Sequence, residues 1–596
     1  MIEKMKQITV ICLTADREQT VERLRELGLV HVTDVQPPQS DELGHLAREH
    51  ERCARALGML RSRTPETAPA FPSDLPSEGA AIVNEALNLD ARIEHAYESR
   101  AGWVRNRHLL EPWGSFSHDD LHAMRSTGLQ VVLGSALESR LPELPDSAVL
   151  HPISRQGKTV YFAVVAPAGL RLSGFSELPF PDESSLAHID QRIAECDRVM
   201  ADAEKRLDSL TAGLEILESY DRELSDRLAL LRARDGMGAS ARLRYLQGYD
   251  PAARVDALRE AAVNAGWGLR VLDPADDDPA VPTKISLPAW VEPIRTVFHA
   301  LGITPGYREV DISACFLLFF SVFFAILIGD AGYGVLFLIA TFVLRKRFPN
   351  APAPPFRLFT VLSITTIIWG VLSGTYFGIV LPDGSVLRQL PSVAYLEKPE
   401  NVQWICFLLG AVHLTVAHLW NAVVIGRSLK ALSQLAWIAI LWGNYFLALK
   451  FVLGREPHPA MLPLYVGGVA GVILFTAPQR NPLKMVGMGL GDLAMSLINS
   501  FVDVVSYVRL FAVGTASVKV AQSFNEMAGG FDGLPFWLGG LVAALILVFG
   551  HALNITLGAM GVLVHGVRLN VLEFAGHVGL QFSGTPYDPL RKQAGN

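Results

Sequence analysis

A long apolar stretch with a fixed charge in its middle constrains this chain more than any other feature. Residues from roughly 486 to 526 are apolar, and Arg509 sits near their centre. A guanidinium stays protonated at any accessible pH, and placing one at a bilayer centre costs roughly 2.5–3.5 kcal/mol even on lenient insertion scales. A second stretch, about 536 to 581, repeats the pattern with Arg568 in HGVRLNVLEF. No proline occurs between Pro482 and Pro535 or between Pro535 and Pro586, so each stretch is expected to run as one helix. Some forty residues at 1.5 Å each make roughly 60 Å, about twice the hydrocarbon thickness. Such helices tilt steeply or project beyond the lipid.

Charge divides the chain. Residues 1–300 carry 46 acidic and 34 basic residues, net −12, whereas residues 301–596 carry 13 and 18, net +5. The first half reads as soluble and the second as membrane-embedded. The five cysteines (Cys12, Cys53, Cys196, Cys315, Cys406) form no C-x-x-C pair, which argues against a disulfide framework or a zinc site and suits a reducing cytoplasm. The N-terminus has too short an apolar run for a signal peptide.

In the soluble half, residues 7–13, then ADREQTVERLRELG, then 29–35 read as strand, helix, strand, with Thr14 or Asp16 near the cap and Gly28 past the helix end. Residues 41–62 and about 84–111 are helical in pattern, separated by a Pro-rich linker. Strand patterns at 129–135 and 159–167 suggest a second α/β lobe. From about 185 to 234, apolar residues including Ile189, Ala203, Leu207, Leu214, Leu224 and Leu231 recur every three or four positions. That spacing predicts a striped helix of roughly 75 Å. Its expected partners are the two earlier helices, giving an antiparallel coiled-coil rod between the lobes; a helix buried in a globule is the alternative. Gly157–Thr159 resembles the end of a phosphate loop, but Pro152 stands where the leading glycine is needed, so a hairpin turn and no nucleotide site are expected.

In the second half, apolar runs at about 312–329, 331–345, 358–380, 402–425, 431–453 and 461–477, with the two long stretches, predict eight spans. GDAGYG (329–334) joins the first two as a tight hairpin, with Asp330 expected near one surface. With the N-terminal half inside, ten Lys and Arg fall in inside loops and four in outside segments, which places both termini in the cytoplasm. The predicted architecture is a mostly α membrane protein. Residues 1–300 form cytoplasmic α/β lobes and a rod, and residues 301–596 form an eight-helix domain ending in two long tilted helices.

Several segments together carry a family resemblance: GYDPAARVDALREAA, PTKISLPAWVEPIRTVFHALGITPGYREVDIS, FFAILIGDAGYG, SGTYFG, DVVSYVRLFAVGTA, and HGVRLNVLEF followed by SGTPYDP. In this order the chain resembles, over essentially its full length, the a subunit (subunit I) of V-type and A-type rotary ATPases, and its length resembles prokaryotic members. The resemblance implies a stator subunit that performs no catalysis alone and needs no cofactor. Its implied partners are the carboxylates of a rotating proteolipid ring, peripheral stalk subunits, a nearby central-stalk or rotor-cap subunit and membrane lipid, with no nucleic acid. It further implies that Arg509, in SY-x-RL, and Arg568, in H-x-x-RL, are the ion-translocating arginines. Snorkelling to lipid headgroups is the plainer role for both.

Helix periodicity puts Ser506 and Val513 on the Arg509 face, and Gly561, His565 and Glu573 near the Arg568 face. Glu573 matches the family's acid after the second arginine. Asp492 and Asp503 are candidates for an inner aqueous half-channel, or are satisfied polar groups between helices. Lys519 and Glu526 are candidates for an outer one, or simply mark the helix end. Many members carry a glutamate ten residues before the second arginine; here that position is Gly558, with Asn554 and Thr556 as substitutes. His413 and His418 read as packed between helices. A stand-alone secondary transporter whose arginines bind an anion, with a cytoplasmic regulatory domain, is the alternative function, and a membrane-anchored scaffold a third.

Overall fold

The structure, a computed structural model, describes residues 2–592 apart from 64–75, 115–122, 125, 143, 171–172, 174, 178–184, 380–381, 383, 477–481 and 531–534. The chain divides into two compact units. One comprises Thr9–Gly248, Asn264–Leu269 and Pro589–Asn596; the other comprises Met1–Ile8, Tyr249–Val263 and Arg270–Asp588.

The described strands are β1 (Met5–Leu13), β2 (His31–Thr33), β3 (Leu129–Leu137), β4 (Val149–Gln156), β5 (Thr159–Pro167), β6 (Ser176–Glu177), β7 (Gly238–Ser240), β8 (Leu243–Pro251) and β9 (Gly268–Leu272). The helices among them are α1 (Arg17–Leu27), α2 (Asp41–Ser62), α3 (Gly79–Leu110), α4 (Leu186–Leu210), α5 (Leu214–Asp235) and α6 (Val255–Ala265). One sheet has the order β2-β8-β1-β9, with β7 paired to β8; the other has the order β4-β5-β3-β6. Gly157, at φ +61°, and Lys158 form the two-residue turn between β4 and β5, so the phosphate-loop look-alike is a hairpin.

The striped segment is two helices rather than one, because a 3-10 turn at Thr211–Gly213 separates α4 from α5. Its stripe is nonetheless buried: Ile189, Leu207, Leu210, Leu217 and Leu224 are all at most 1% exposed. α4 lies along α3 and α5 along α2, and Cys53, Leu60, Ile82 and Ala86 complete one apolar core with them. Burial there pushes the Cys53 thiol up to about 12.

The second unit is helical: α7 (Arg295–Leu301), α8 (Ser313–Ile328), α9 (Ala331–Arg347), α10 (Ala353–Ser373), α11 (Pro391–Leu396), α12 (Pro399–Ile425), α13 (Leu429–Leu453), α14 (Met461–Phe475), α15 (Pro482–Ser506), α16 (Val508–Ala528), α17 (Phe536–Gly561) and α18 (Ala575–Val578). Among the described residues, five helices are long and apolar enough to cross a membrane: α10, α12, α13, Ser496–Ala528 and Trp537–Val578. α8 and α9 pass that test as a pair bent by 119°, and α14 is a shorter apolar helix. α8 is the hub, with Phe316, Phe320, Phe323 and Leu327 at most 4% exposed.

Three local features go beyond the sequence reading. Asp330 is buried within the protein at 1% exposure. Its carboxylate accepts backbone N–H bonds from Gly332 (2.7 Å), Tyr333 (3.3 Å), Phe377 (2.8 Å) and Gly378 (2.9 Å). These satisfy the charge, cap α9 and pin the SGTYFG segment. Secondly, the stretch through Arg509 is not one uniform helix, since Tyr507 interrupts it between α15 and α16. The buried Tyr507 ring packs where Gly410 has no side chain, and a Cβ at Gly410 would lie 2.5 Å from it. Finally, the last helix carries two π-helical turns, Val562–Gly566 and Leu569–Phe574, that flank Arg568, and it ends at Gly579 (φ +85°) rather than at 581.

Candidate functional site

The two arginines converge on one acid. Arg509, one residue into α16, donates from Nη2 to Ser506 Oγ at 2.9 Å and meets Glu573 Oε1 through Nη1 at 3.5 Å. Arg568, between the π turns, brings Nε to the same oxygen at 3.4 Å. Each π turn adds a residue to the helical repeat and rotates the rest of the helix beyond it, which is how Glu573, five positions after Arg568, shares its face. The side chain of Glu573 is only 3% exposed, against 26% for Arg509 and 50% for Arg568. Two cations therefore share one buried anion, leaving a formal surplus of one positive charge on a half-exposed surface. Glu573 Oε2 and His565 Nδ1 are buried with no hydrogen-bond partner among the described residues. Close helix approach shapes the site, since a Cβ at Gly561 would meet Val513 at 2.9 Å.

Towards the start of α15 from Arg509 lies a polar cavity of about 340 Å³, lined by Asp503, Glu573, His577, His418 and Gln434 among others. Asp503 Oδ2 meets His577 Nε2 at 3.0 Å, and His577 Nδ1 meets His418 Nε2 at 3.0 Å. Asp492 belongs to α15, but its side chain lies outside the described residues.

Towards the other end of α16, a cavity of about 560 Å³ is bordered by Lys519, Gln522, Glu526, Arg388 and Glu397. Lys519 Nζ donates to Gln522 Oε1 at 3.0 Å. From Asp503 to Glu526 along the helix is about 35 Å, with Arg509 between the two cavities. Asn554 is 1% exposed and heads a buried polar chain on this side. Its Nδ2 donates to Tyr333 Oη at 3.0 Å and to the Ser517 carbonyl at 2.9 Å, and its Oδ1 accepts from Ser517 Oγ at 3.2 Å. Tyr333 Oη meets His551 Nδ1 at 2.7 Å, and His551 Nε2 meets Asn525 Oδ1 at 3.2 Å. Thr556, by contrast, is exposed and bonds its own helix at Ala552.

The structure thus groups Arg509, Ser506, Arg568 and Glu573, with Asp503 across a shared cavity from Glu573, and places Lys519, Glu526 and Asn554 on the opposite side. His565 faces neither cavity lining. Sequence reading missed His577, His551 and Tyr333. Their signals were weak: His577 lies one turn after Glu573, His551 three residues before Asn554, and Tyr333 inside GDAGYG. His413 is packed as expected, stacked between Phe319 at 3.9 Å and Phe574 at 4.3 Å. His418, read the same way, is buried at 6% exposure and also lines the cavity.

No protein-family model matches the chain. Among curated proteins it is similar to V-type ATP synthase subunit I of Borreliella burgdorferi, with 29% identity over 99% of this chain and 100% of the relative. V-type ATP synthase subunit I 1 of Treponema pallidum is likewise 29% identical, over the full length of both. A-type ATP synthase subunit I of Archaeoglobus fulgidus is 26% identical over 55% of this chain and 56% of the relative.

Proposed function

We infer, from the premise that the chain belongs to the subunit I family of V-type and A-type ATP synthases, that it is the membrane stator of a rotary ATPase. The observation that carries this reading is the surplus positive charge where Arg509 and Arg568 share Glu573. A mobile carboxylate on a rotating proteolipid ring would complete that arrangement. Beside a fixed cation it favours its ionised form, so a proton is released as each ring subunit arrives. A guanidinium cannot deprotonate, so it passes no proton itself and blocks a leak between the two cavities.

The cavity at Asp503 supports an inner half-channel and the cavity at Lys519 and Glu526 an outer one. Asn554, in the Asn554–Tyr333–His551 chain, stands one helical turn before Gly558, the position where the family resemblance implies a glutamate in many members. Counting α8 and α9 as two spans and α14 as another gives eight spans for residues 301–596. Residues 1–300 then form the cytoplasmic domain, whose paired helices act as a coiled-coil rod that holds the peripheral stalks against torque beside the rotor cap. Both termini are cytoplasmic, and the complex sits in a prokaryotic plasma membrane and moves protons. No observation favours the transporter reading.

The test is ATP-driven acidification of vesicles that hold the assembled complex. Arg509→Gln is expected to abolish acidification while the complex stays intact on a native gel. Pumping near the wild-type rate would overturn the reading.

A further inference from the structure

Two imidazoles lie end to end beside the inner cavity. His577 Nε2 meets Asp503 Oδ2 at 3.0 Å, His577 Nδ1 meets His418 Nε2 at 3.0 Å, and His418 Nδ1 meets Gln434 Oε1 at 2.8 Å. Both ends of this chain are acceptors, a carboxylate oxygen and an amide oxygen. In this orientation of the Gln434 amide each outer ring nitrogen donates. A neutral imidazole has a single N–H, so two neutral rings spend both protons on the ends. The central N···N contact would then oppose two lone pairs at 3.0 Å. With the Gln434 oxygen facing His418, three hydrogen bonds need three protons and two neutral rings supply two; with the amide reversed, its N–H₂ supplies the third.

The outer chain makes the contrast plain. There Asn554 Nδ2 donates to Tyr333 Oη, the hydroxyl donates to His551 Nδ1, and His551 Nε2–H donates to Asn525 Oδ1. That run is satisfied with a neutral histidine. The inner chain is satisfied by neutral histidines only with the Gln434 amide reversed.

We propose that His418 and His577 together hold one extra proton, shared across their N···N contact and balanced by Asp503, as the proton-holding station of the inner cavity. The station deepens the stator reading and rests on it. His577 and Asp503 have side chains 14% and 28% exposed, so the pair is open to the cavity yet sheltered from bulk water. The titratable groups lining the cavity are Asp503 from α15, His418 from α12, and Glu573 and His577 from the last helix. The other lining residues, among them Ser496, Asn499, Ser500 and Trp437, do not titrate near neutrality. When the proton leaves through the cavity, two neutral rings remain, and reversal of the Gln434 amide lets its N–H₂ donate to His418 Nδ1 and closes the chain again. A proton arriving from the cytoplasm restores the imidazolium.

The experiment measures ATP-driven acidification against pH with the intact complex in vesicles, using wild type, His577→Gln, Asp503→Asn, Gln434→Glu and Arg509→Gln. His577→Gln is expected to slow pumping roughly tenfold or more at neutral pH, as loss of a positioned proton carrier does. Asp503→Asn removes the counter-charge and shifts the alkaline limb of the profile to lower pH, whereas Gln434→Glu adds an anion and shifts it upward. A purely structural role would move neither limb. Wild-type profiles in the His577 and Asp503 variants, with Arg509→Gln inactive, would overturn the proton station and leave the stator reading standing. Pumping by Arg509→Gln would instead sink the stator reading. Should His577→Gln fail to assemble, nitrogen-15 NMR of histidine-labelled wild-type protein decides. An imidazolium signal lost in His418→Gln supports the station, and two neutral rings at neutral pH overturn it.

Discussion

Glu573 is the residue on which the site's charge balance turns. Its single carboxylate faces two guanidinium groups, so replacing it with alanine leaves two like charges facing each other and one side of a partly buried ion pair unmet. We expect Glu573→Ala to destabilise the protein by about 2–3 kcal/mol, below the full cost of breaking a buried pair because Arg568 is half exposed. Thermal unfolding in detergent would read this, and an unchanged midpoint would refute it. Asn554 poses the complementary case. It is buried and fully hydrogen-bonded, so Asn554→Leu removes the donors to Tyr333 Oη and the Ser517 carbonyl and the acceptor of Ser517 Oγ. Loss of those partners costs about 1–3 kcal/mol, and pumping should fall with it. Thr556→Val, at an exposed position, should change neither measurement. Both arginines were visible in the sequence because charged residues in apolar runs are expensive, whereas Glu573 and Asn554 were reached through the family resemblance. His577 was not, because a histidine near a helix end carries no such cost.

At the level of elements, close packing sets the geometry. Gly514 lets α16 approach α8 so closely that a Cβ would stand 2.3 Å from the Ile326 carbonyl oxygen. Gly514→Ala should cost about 1–3 kcal/mol through overpacking, and should also slow pumping by displacing Arg509. A variant with normal stability and normal pumping would show that the helices can separate without consequence. The helix through Arg509 was legible from the absence of proline and the run of apolar residues. Its break at Tyr507 was not: no breaker residue marks the place, and the ring packs against Gly410, ninety-seven positions earlier in the chain. Nor were the π turns around Arg568, whose residues are ordinary helix formers with no local signal for an added residue.

For the molecule as a whole, stability should depend on pH through Asp250. This carboxyl is 0% exposed, and burial pushes it up to about 6 against the opposing pull of the Tyr587 hydrogen bond and of Arg254 and Lys284. Between about pH 4 and 6 the folded protein keeps a proton that the unfolded chain has released, so stability falls as pH rises through this window and levels above it. The drop amounts to about 2–3 kcal/mol. Asp250→Asn should remove that slope in denaturation midpoints measured from about pH 4 to 7; an unaltered slope would assign it to another group. The apolar core of α2, α3, α4 and α5 and the strands at 129–137 and 159–167 were within reach of periodicity, and the five helices apolar enough to cross a membrane were within reach of their apolar runs. Patterns of 2.0 and 3.6 residues report which face each element buries.

The sequence by itself determined the division into a charged half and an apolar half, the secondary structure of the long periodic segments, and the two costly arginines. Each of these follows from local composition or spacing, which a chain carries whatever its fold. Only the tertiary structure decided that both arginines meet the same oxygen of Glu573, that Asp330 is buried under four backbone N–H groups, that α8 and α9 bend by 119°, and that His418 and His577 join across 159 positions. Those outcomes depend on side chains brought together by packing between distant helices, where hydrogen-bond direction and the count of available protons become definite only once the partners are in place.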